Sequence, residues 1–187
     1  MVALYSGMRL EEIAQLHCKD IYESATKGIW VFDINDSGVD EDNRGKLLKT
    51  KNARRLVPLH QTLIDAGFLR YHKAIEQKGH IRLFPDLNKT TKTAKFGKQP
   101  SKQFKAVVTK ALGGAQGKTF HSLRHTFADF YKQRGLQNDY FRQVFGHELP
   151  MLAANQYGEK FPPDLLYNEI ISKLDYGIDV QKVLIRS

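Results

Sequence analysis

Between Gly28 and Leu59 the spacing of apolar residues changes from a helical period to alternation, and at His60 it changes back. Ile29-Trp30-Val31-Phe32-Asp33-Ile34 is dense in β-branched and aromatic residues, which fit a pleated, half-buried surface. The polar stretch from Asn35 to Gly45 predicts a loop. Lys46-Leu47-Leu48-Lys49 and Arg55-Leu56-Val57-Pro58-Leu59 predict two more short strands, with a basic hairpin, Thr50-Lys51-Asn52-Ala53-Arg54, between them. The economical arrangement is a small antiparallel three-stranded sheet at one edge of a mostly helical, α+β chain.

The rest of the pattern is helical. A helix starting near Met8 carries Leu10, Ile13, Ala14 and Leu16 on its buried stripe, with Glu11 and Glu12 in the first turn, where carboxylates complement the helix dipole. Arg9 breaks that logic: a cation there opposes the dipole unless it reaches for an anion near outward-pointing N–H groups. His60 to Lys78 and Ser101 to Leu112 predict further helices, and Ile81 to Pro85 a short extended piece. Asp86 to Gln99, poor in large apolar residues and rich in lysine, predicts a mobile loop. Beyond Gly135, Tyr140, Phe141, Val144 and Phe145 mark a short helix stopping at Gly146-His147, and a turn or two from Met151 to Gln156 delivers Tyr157. The abrupt apolar start, Val2-Ala3-Leu4-Tyr5, suggests the carboxy-terminal part of a longer protein. The tail from Leu165 is amphipathic, so it either docks on a neighbouring subunit or folds back on its own core.

One predicted helix displays chemistry as well as packing. In His121-Ser122-Leu123-Arg124-His125-Thr126-Phe127, the residues Leu123, Phe127, Phe130 and Tyr131 gather on one side at about 100° per residue, and His121, Arg124 and His125 share the neighbouring arc. A guanidinium fork beside an imidazole suits a phosphate. The same residues also suit a plain solvated helix face. His125 reads as structural, packed on the core with its own hydrogen-bond partner. A metal site at His121 and His125 fits the spacing, but no glutamate partner accompanies it and Arg124 lies between them.

Charge indicates the kind of partner. The chain of 187 residues suits one domain, and its net charge of +9 favours a polyanion, most simply double-stranded DNA. The cations cluster: Lys46, Lys49, Lys51, Arg54 and Arg55 in one segment, and Lys89, Lys92, Lys95, Lys98, Lys102 and Lys105 in another. Of these Lys51, Arg54, Arg55, Lys92 and Lys95 are the expected DNA contacts. No apolar run reaches membrane-spanning length and no signal peptide pattern opens the chain, so a cytoplasmic protein acting on the chromosome is expected, with no membrane partner. The single cysteine, Cys18, excludes an internal disulfide and reads as a small core residue.

Taken in order, Arg9 in Ser-Gly-Met-Arg-Leu-Glu-Glu, a hairpin lysine in Lys49-Thr50-Lys51, His121-Ser-Leu-Arg124-His125, Gly146-His147 and Tyr157 resemble the signature of the tyrosine recombinase (phage integrase) family. The resemblance covers nearly the whole chain. It implies an integrase-type catalytic domain that breaks and rejoins DNA through a 3′-phosphotyrosyl intermediate, without metal or other cofactor. Arg9 and Arg124 would clamp the phosphate oxygens, His121 and His147 would add hydrogen bonds, with His121 taking the tyrosine proton. Tyr157 would attack, and Lys49, with Lys51 as alternative, would protonate the leaving 5′ oxygen. The family usually carries an amino-terminal core-binding domain, absent here, and acts as a homo-tetramer on paired attachment sites, although the fragment alone could be monomeric. Two other readings stay open: a type IB topoisomerase, which shares the chemistry, and a non-catalytic DNA-binding module.

Overall fold

A computed structural model describes residues 1–43, 45–48, 53–90, 95–114, 117–147 and 160–182. Two five-residue helices open the chain, α1 (Val2–Ser6) and α2 (Leu10–Ala14), separated by a left-handed Gly7. A 3₁₀ turn at Cys18–Asp20 leads into β1 (Ile21–Glu23), β2 (Trp30–Ile34) and β3 (Arg55–Pro58). Helices follow: α3 (Gln61–Asp65), α4 (Phe68–Gln77), α5 (Lys98–Leu112), α6 (His121–Gln133), α7 (Asp139–Phe145) and α8 (Pro163–Glu169). The predicted helix from His60 to Lys78 is thus two helices, divided where Gly67 adopts φ 91°.

The sheet is a three-stranded antiparallel meander, as expected, but one strand differs from the prediction. Its order is β1-β2-β3, with Phe32 opposite both Ile21 and Val57. Residues 46–48 are not in it. Side chains satisfy that segment instead: the Gln15 amide donates to the Leu47 carbonyl and accepts from the Leu47 N–H, each at 2.9 Å. The Lys46 ammonium is buried, donating to both Asp20 carboxylate oxygens at 2.8 and 2.6 Å and to Asn35 Oδ1 at 2.8 Å. Lys46 is therefore an internal ion-pair partner and not part of a DNA-facing basic run. Ile21, with its side chain buried, takes the place of the expected strand.

Helix α6 runs through the core. Its buried face is Arg124, Phe127, Phe130 and Tyr131, with Leu123 partly buried beside it. Phe127 stacks on Phe141 and Phe145 of α7, joining the two helices. The tail folds onto this same core: Leu166, Ile170, Ile171 and Leu174 are buried, the Tyr131 hydroxyl donates to Ile170 O at 2.8 Å, and His60 Nε2 meets Leu174 O at 2.8 Å. From Leu166 to Leu174, then, the apolar stripe covers this chain's own core, the second of the two arrangements expected for the tail. Cys18 is buried as expected, in the 3₁₀ turn, and burial pushes its thiol up to about 11.

The segment read as a mobile loop is anchored where it is described. Glu11 accepts the Phe96 and Gly97 N–H groups at 2.8 and 3.0 Å, and the buried Phe96 ring lies beneath Arg82 and Lys89. Helix α5 starts earlier than predicted, and no residue of it is buried. Lys95, Lys98, Lys102 and Lys105 are exposed along this region. No described helix is long and apolar enough to cross a membrane.

Replacing Lys46 by methionine leaves Asp20 buried without its cation, which costs about 3–5 kcal/mol. Urea unfolding of Lys46→Met checks this. A midpoint equal to that of the unsubstituted protein would show that the buried pair carries no stability.

Candidate active site

Arg124 sits in the first turns of α6 with only 4% of its surface exposed. Its guanidinium donates to Gly7 O and, at 2.6 Å, to Phe145 O, and it lies 3.5 Å above the Phe145 ring centroid. Two helix ends and an aromatic face thus fix its plane. Gly7 is required for this: its φ is +64°, and a Cβ there would lie 2.6 Å from Phe127 Cδ1. Burial, and next the charge of Arg9, pull the Arg124 guanidinium down to about 9, so it remains a cation at neutral pH.

Arg9 is the N-cap of α2, and Glu12, three residues on, resolves the conflict with the helix dipole. The Glu12 carboxylate accepts the Arg9 backbone N–H at 2.8 Å and an Arg9 guanidinium N–H at 2.8 Å. The other side of the carboxylate receives Arg55, through its two terminal nitrogens at 3.2 and 2.9 Å. Burial raises the Glu12 pKa, but the charge and hydrogen bonds of Arg55, with those of Arg9, outweigh it and hold the group down to about 2.

Arg55 is accordingly not a DNA contact. Its side chain is 2% exposed, its Nε donates to Val144 O at 2.8 Å, and a terminal nitrogen also donates to Ala53 O at 2.9 Å. Alternation along β3 turns this position inward, toward the buried Glu12 carboxylate. The composition of the basic segment gave no sign of this. Arg54, one residue earlier, faces solvent and pairs with Asp36.

Gly146 closes α7 at φ +72°, where a Cβ would lie 2.8 Å from Arg55 Cζ. His147 follows, exposed, with its ring edge-on to Phe145 at 4.7 Å. His121 is the first residue of α6, also exposed, and its ring meets His125 edge-on at 4.5 Å. His125 is exposed too, so the expected core packing does not occur. Burial first, and then neighbouring cations that include both Arg124 and Arg9, lower the pKa of each of His121 and His147. Arg9, Arg124, His121 and His147 therefore form one electropositive patch, built from the ends of α2, α6 and α7. Lys49, Lys51, Lys92 and Tyr157 lie outside the described residues. Lys95 is exposed. Among the described residues, no group of three or more His, Cys, Asp or Glu side chains comes together as a metal site would require.

The sequence reading missed Glu12, Phe145 and the inward role of Arg55. The Arg9–Glu12 spacing was a usable signal, because a carboxylate at N3 reaches back to the N-cap.

Residues 1–161 match the model of the phage integrase family. No curated protein matches the chain in sequence. Among solved structures it is similar to the site-specific recombinase XerH bound to difH substrate in a pre-cleavage complex. The TM-score is 0.50 at 18% identity, over 94% of this chain and 42% of that one. It is also similar to the XerH post-cleavage complex with palindromic difH substrate, with a TM-score of 0.46 and 18% identity over 94% and 40% of the two chains. The chain thus spans about two fifths of the recombinase structures it matches, and at 18% identity the likeness to the pre-cleavage complex is one of fold.

The Glu12 carboxyl titrates near 4.5 when unfolded and at about 2 when folded. The depressed folded value means that its contribution is full above the unfolded value and is lost as pH falls toward 2, amounting to about 3 kcal/mol. Unfolding free energies measured from pH 7 to pH 2 should fall more steeply for the unsubstituted protein than for Glu12→Gln. Parallel curves would refute this account of Glu12.

Proposed function

The chain belongs to the phage integrase family, and from that premise we propose that it breaks and rejoins double-stranded DNA at specific sites through a phosphotyrosine intermediate. The observation that carries the proposal is the patch in which Arg9, Arg124, His121 and His147 meet around the Arg124 guanidinium. Such a patch suits a phosphodiester passing through a pentacoordinate state, whose non-bridging oxygens gather negative charge. Arg9 and Arg124 balance that charge and orient the phosphorus. His121, kept neutral by its lowered pKa, accepts the proton of the Tyr157 hydroxyl as its oxygen bonds to phosphorus. The P–O bond to the 5′ oxygen breaks, and Lys49, or Lys51, supplies that oxygen with a proton. A 3′-phosphotyrosyl link and a free 5′ hydroxyl result, so the phosphoryl bond is kept for rejoining to another strand. His147 donates a hydrogen bond to a phosphate oxygen.

The DNA surface is supplied by the cations that face solvent. Arg54, Lys95 and the exposed lysines of α5 can take phosphate contacts, with Lys51 and Lys92 continuing the same runs in sequence. Assembly as four copies on paired attachment sites belongs to the same proposal, because exchanging strands between two duplexes requires four cleavages.

A nicked duplex carrying the attachment sequence, incubated with full-length protein in chelator, should give a covalent protein–DNA band on a denaturing gel. Tyr157→Phe should abolish the band, and Arg124→Ala should slow its formation by about 10²–10³-fold. The rate should fall on acidification only below the ordinary imidazole range, as His121 takes up a proton. Equal bands from the unsubstituted protein and Tyr157→Phe would exclude tyrosine as nucleophile.

A further inference from the structure

Arg55 is a buried cation that the reaction just described leaves without a role. It joins three parts of the chain. Both terminal nitrogens hold Glu12, 43 residues away in sequence, and Nε holds Val144 O, 89 residues away. Its guanidinium abuts Gly146, so close that a Cβ there would lie 2.8 Å from Cζ. Glu12 leads to Arg9, and Gly146 to His147. One side chain therefore backs two members of the phosphate-facing patch while itself remaining 2% exposed.

The charges around Glu12 make the arrangement more than a brace. Its carboxylate receives two hydrogen bonds from Arg9, one of them from the backbone, and two from Arg55. Were Arg9 its only cationic partner, a buried carboxylate would draw the Arg9 guanidinium in and cancel it, since an unpaired charge in the interior is costly. With Arg55 present, Glu12 is already neutralised from the inner side. Arg9, its side chain 29% exposed, then keeps a free positive charge toward solvent beside Arg124.

Resting on the phosphodiester reading above, we infer that Arg55 is a positioning residue for the strand-cleavage step. It neutralises Glu12 so that Arg9 is oriented without being cancelled, and it sets the Gly146 turn that presents His147. A residue acting in this way contributes when the scissile phosphate carries charge and contributes little when it does not.

The test compares single-turnover cleavage by full-length protein on two nicked attachment-site duplexes, one with an ordinary scissile phosphodiester and one with an uncharged methylphosphonate there. Arg55→Met should slow phosphodiester cleavage by about 10²-fold, similar to the loss of one oxyanion donor. DNA binding should be nearly unchanged, and methylphosphonate cleavage should stay within a few-fold of the unsubstituted protein. Arg9→Ala should likewise lose more on the phosphodiester than on the methylphosphonate. Arg55→Lys, which keeps the charge and loses the fork, should recover part of the phosphodiester rate; it also serves as the measured variant if Arg55→Met does not fold, its phosphodiester loss again exceeding its methylphosphonate loss. Equal losses on both substrates would make Arg55 merely structural and overturn the inference, as would no loss on either. Failure of the unsubstituted protein to cleave either duplex would instead overturn the phosphodiester reading, and the inference with it.

Discussion

A single buried carboxylate, Glu12, shared between Arg9 and Arg55, holds together the face that carries Arg9, Arg124, His121 and His147. Charges so removed from water are tolerated only when partners satisfy them, and the partners here come from α2, β3 and, through Val144 O, α7. The contact therefore does two jobs. It closes the seam between the sheet and the last helices of the core, and it fixes where a cation can face outward. The neighbouring Arg124 is held by two helix-end carbonyls and the Phe145 ring. A guanidinium bonded only to neutral groups keeps its full charge for an incoming anion.

Backbone geometry makes those carbonyls available. Gly7 ends α1 and Gly146 ends α7, both in the left-handed region, and both against a side chain that a Cβ would strike. Each glycine is needed twice over, for its φ and for the close approach. The short lengths of α1, α2 and α7 follow from this. α1 and α7 have to stop where a carbonyl or a histidine is presented, and α2 has to start at its capping arginine, so tertiary packing, not helix propensity, stabilises them.

Much of this was legible in the sequence, and the failures share a cause. Periodicity found α6 and its buried face, the short α7 and the small antiparallel sheet, because an amphipathic stripe or an alternating run records burial directly. Motif order identified Arg9, His121, Arg124 and His147 as a group, and the structure brings them to one patch. What failed was any inference from charge to exposure. Lys46 and Arg55 looked like members of a basic surface run, and each lies inside against a carboxylate distant in sequence. Residues 46–48 looked like a strand, but the Gln15 side chain supplied the partner that a strand would have supplied. His125 looked like a core residue and is exposed. Long-range pairing of polar side chains leaves no periodic trace, and that is the information a single sequence lacks.

The same point bears on how a net charge of +9 should be understood. Lys46 and Arg55 are neutralised within the fold by Asp20 and Glu12, so they add nothing to the field that a polyanion meets at long range. Arg124 is also buried, but its hydrogen bonds run to neutral carbonyls, so it acts at short range and on a group that reaches the patch. The exposed lysines beside and along α5 supply the long-range attraction. Under the proposed function, affinity for DNA and chemistry on it would thus draw on different cations. Raising the salt concentration screens the outer set strongly and the buried guanidinium far less, so binding should weaken with salt well before the intrinsic rate of a bound complex changes.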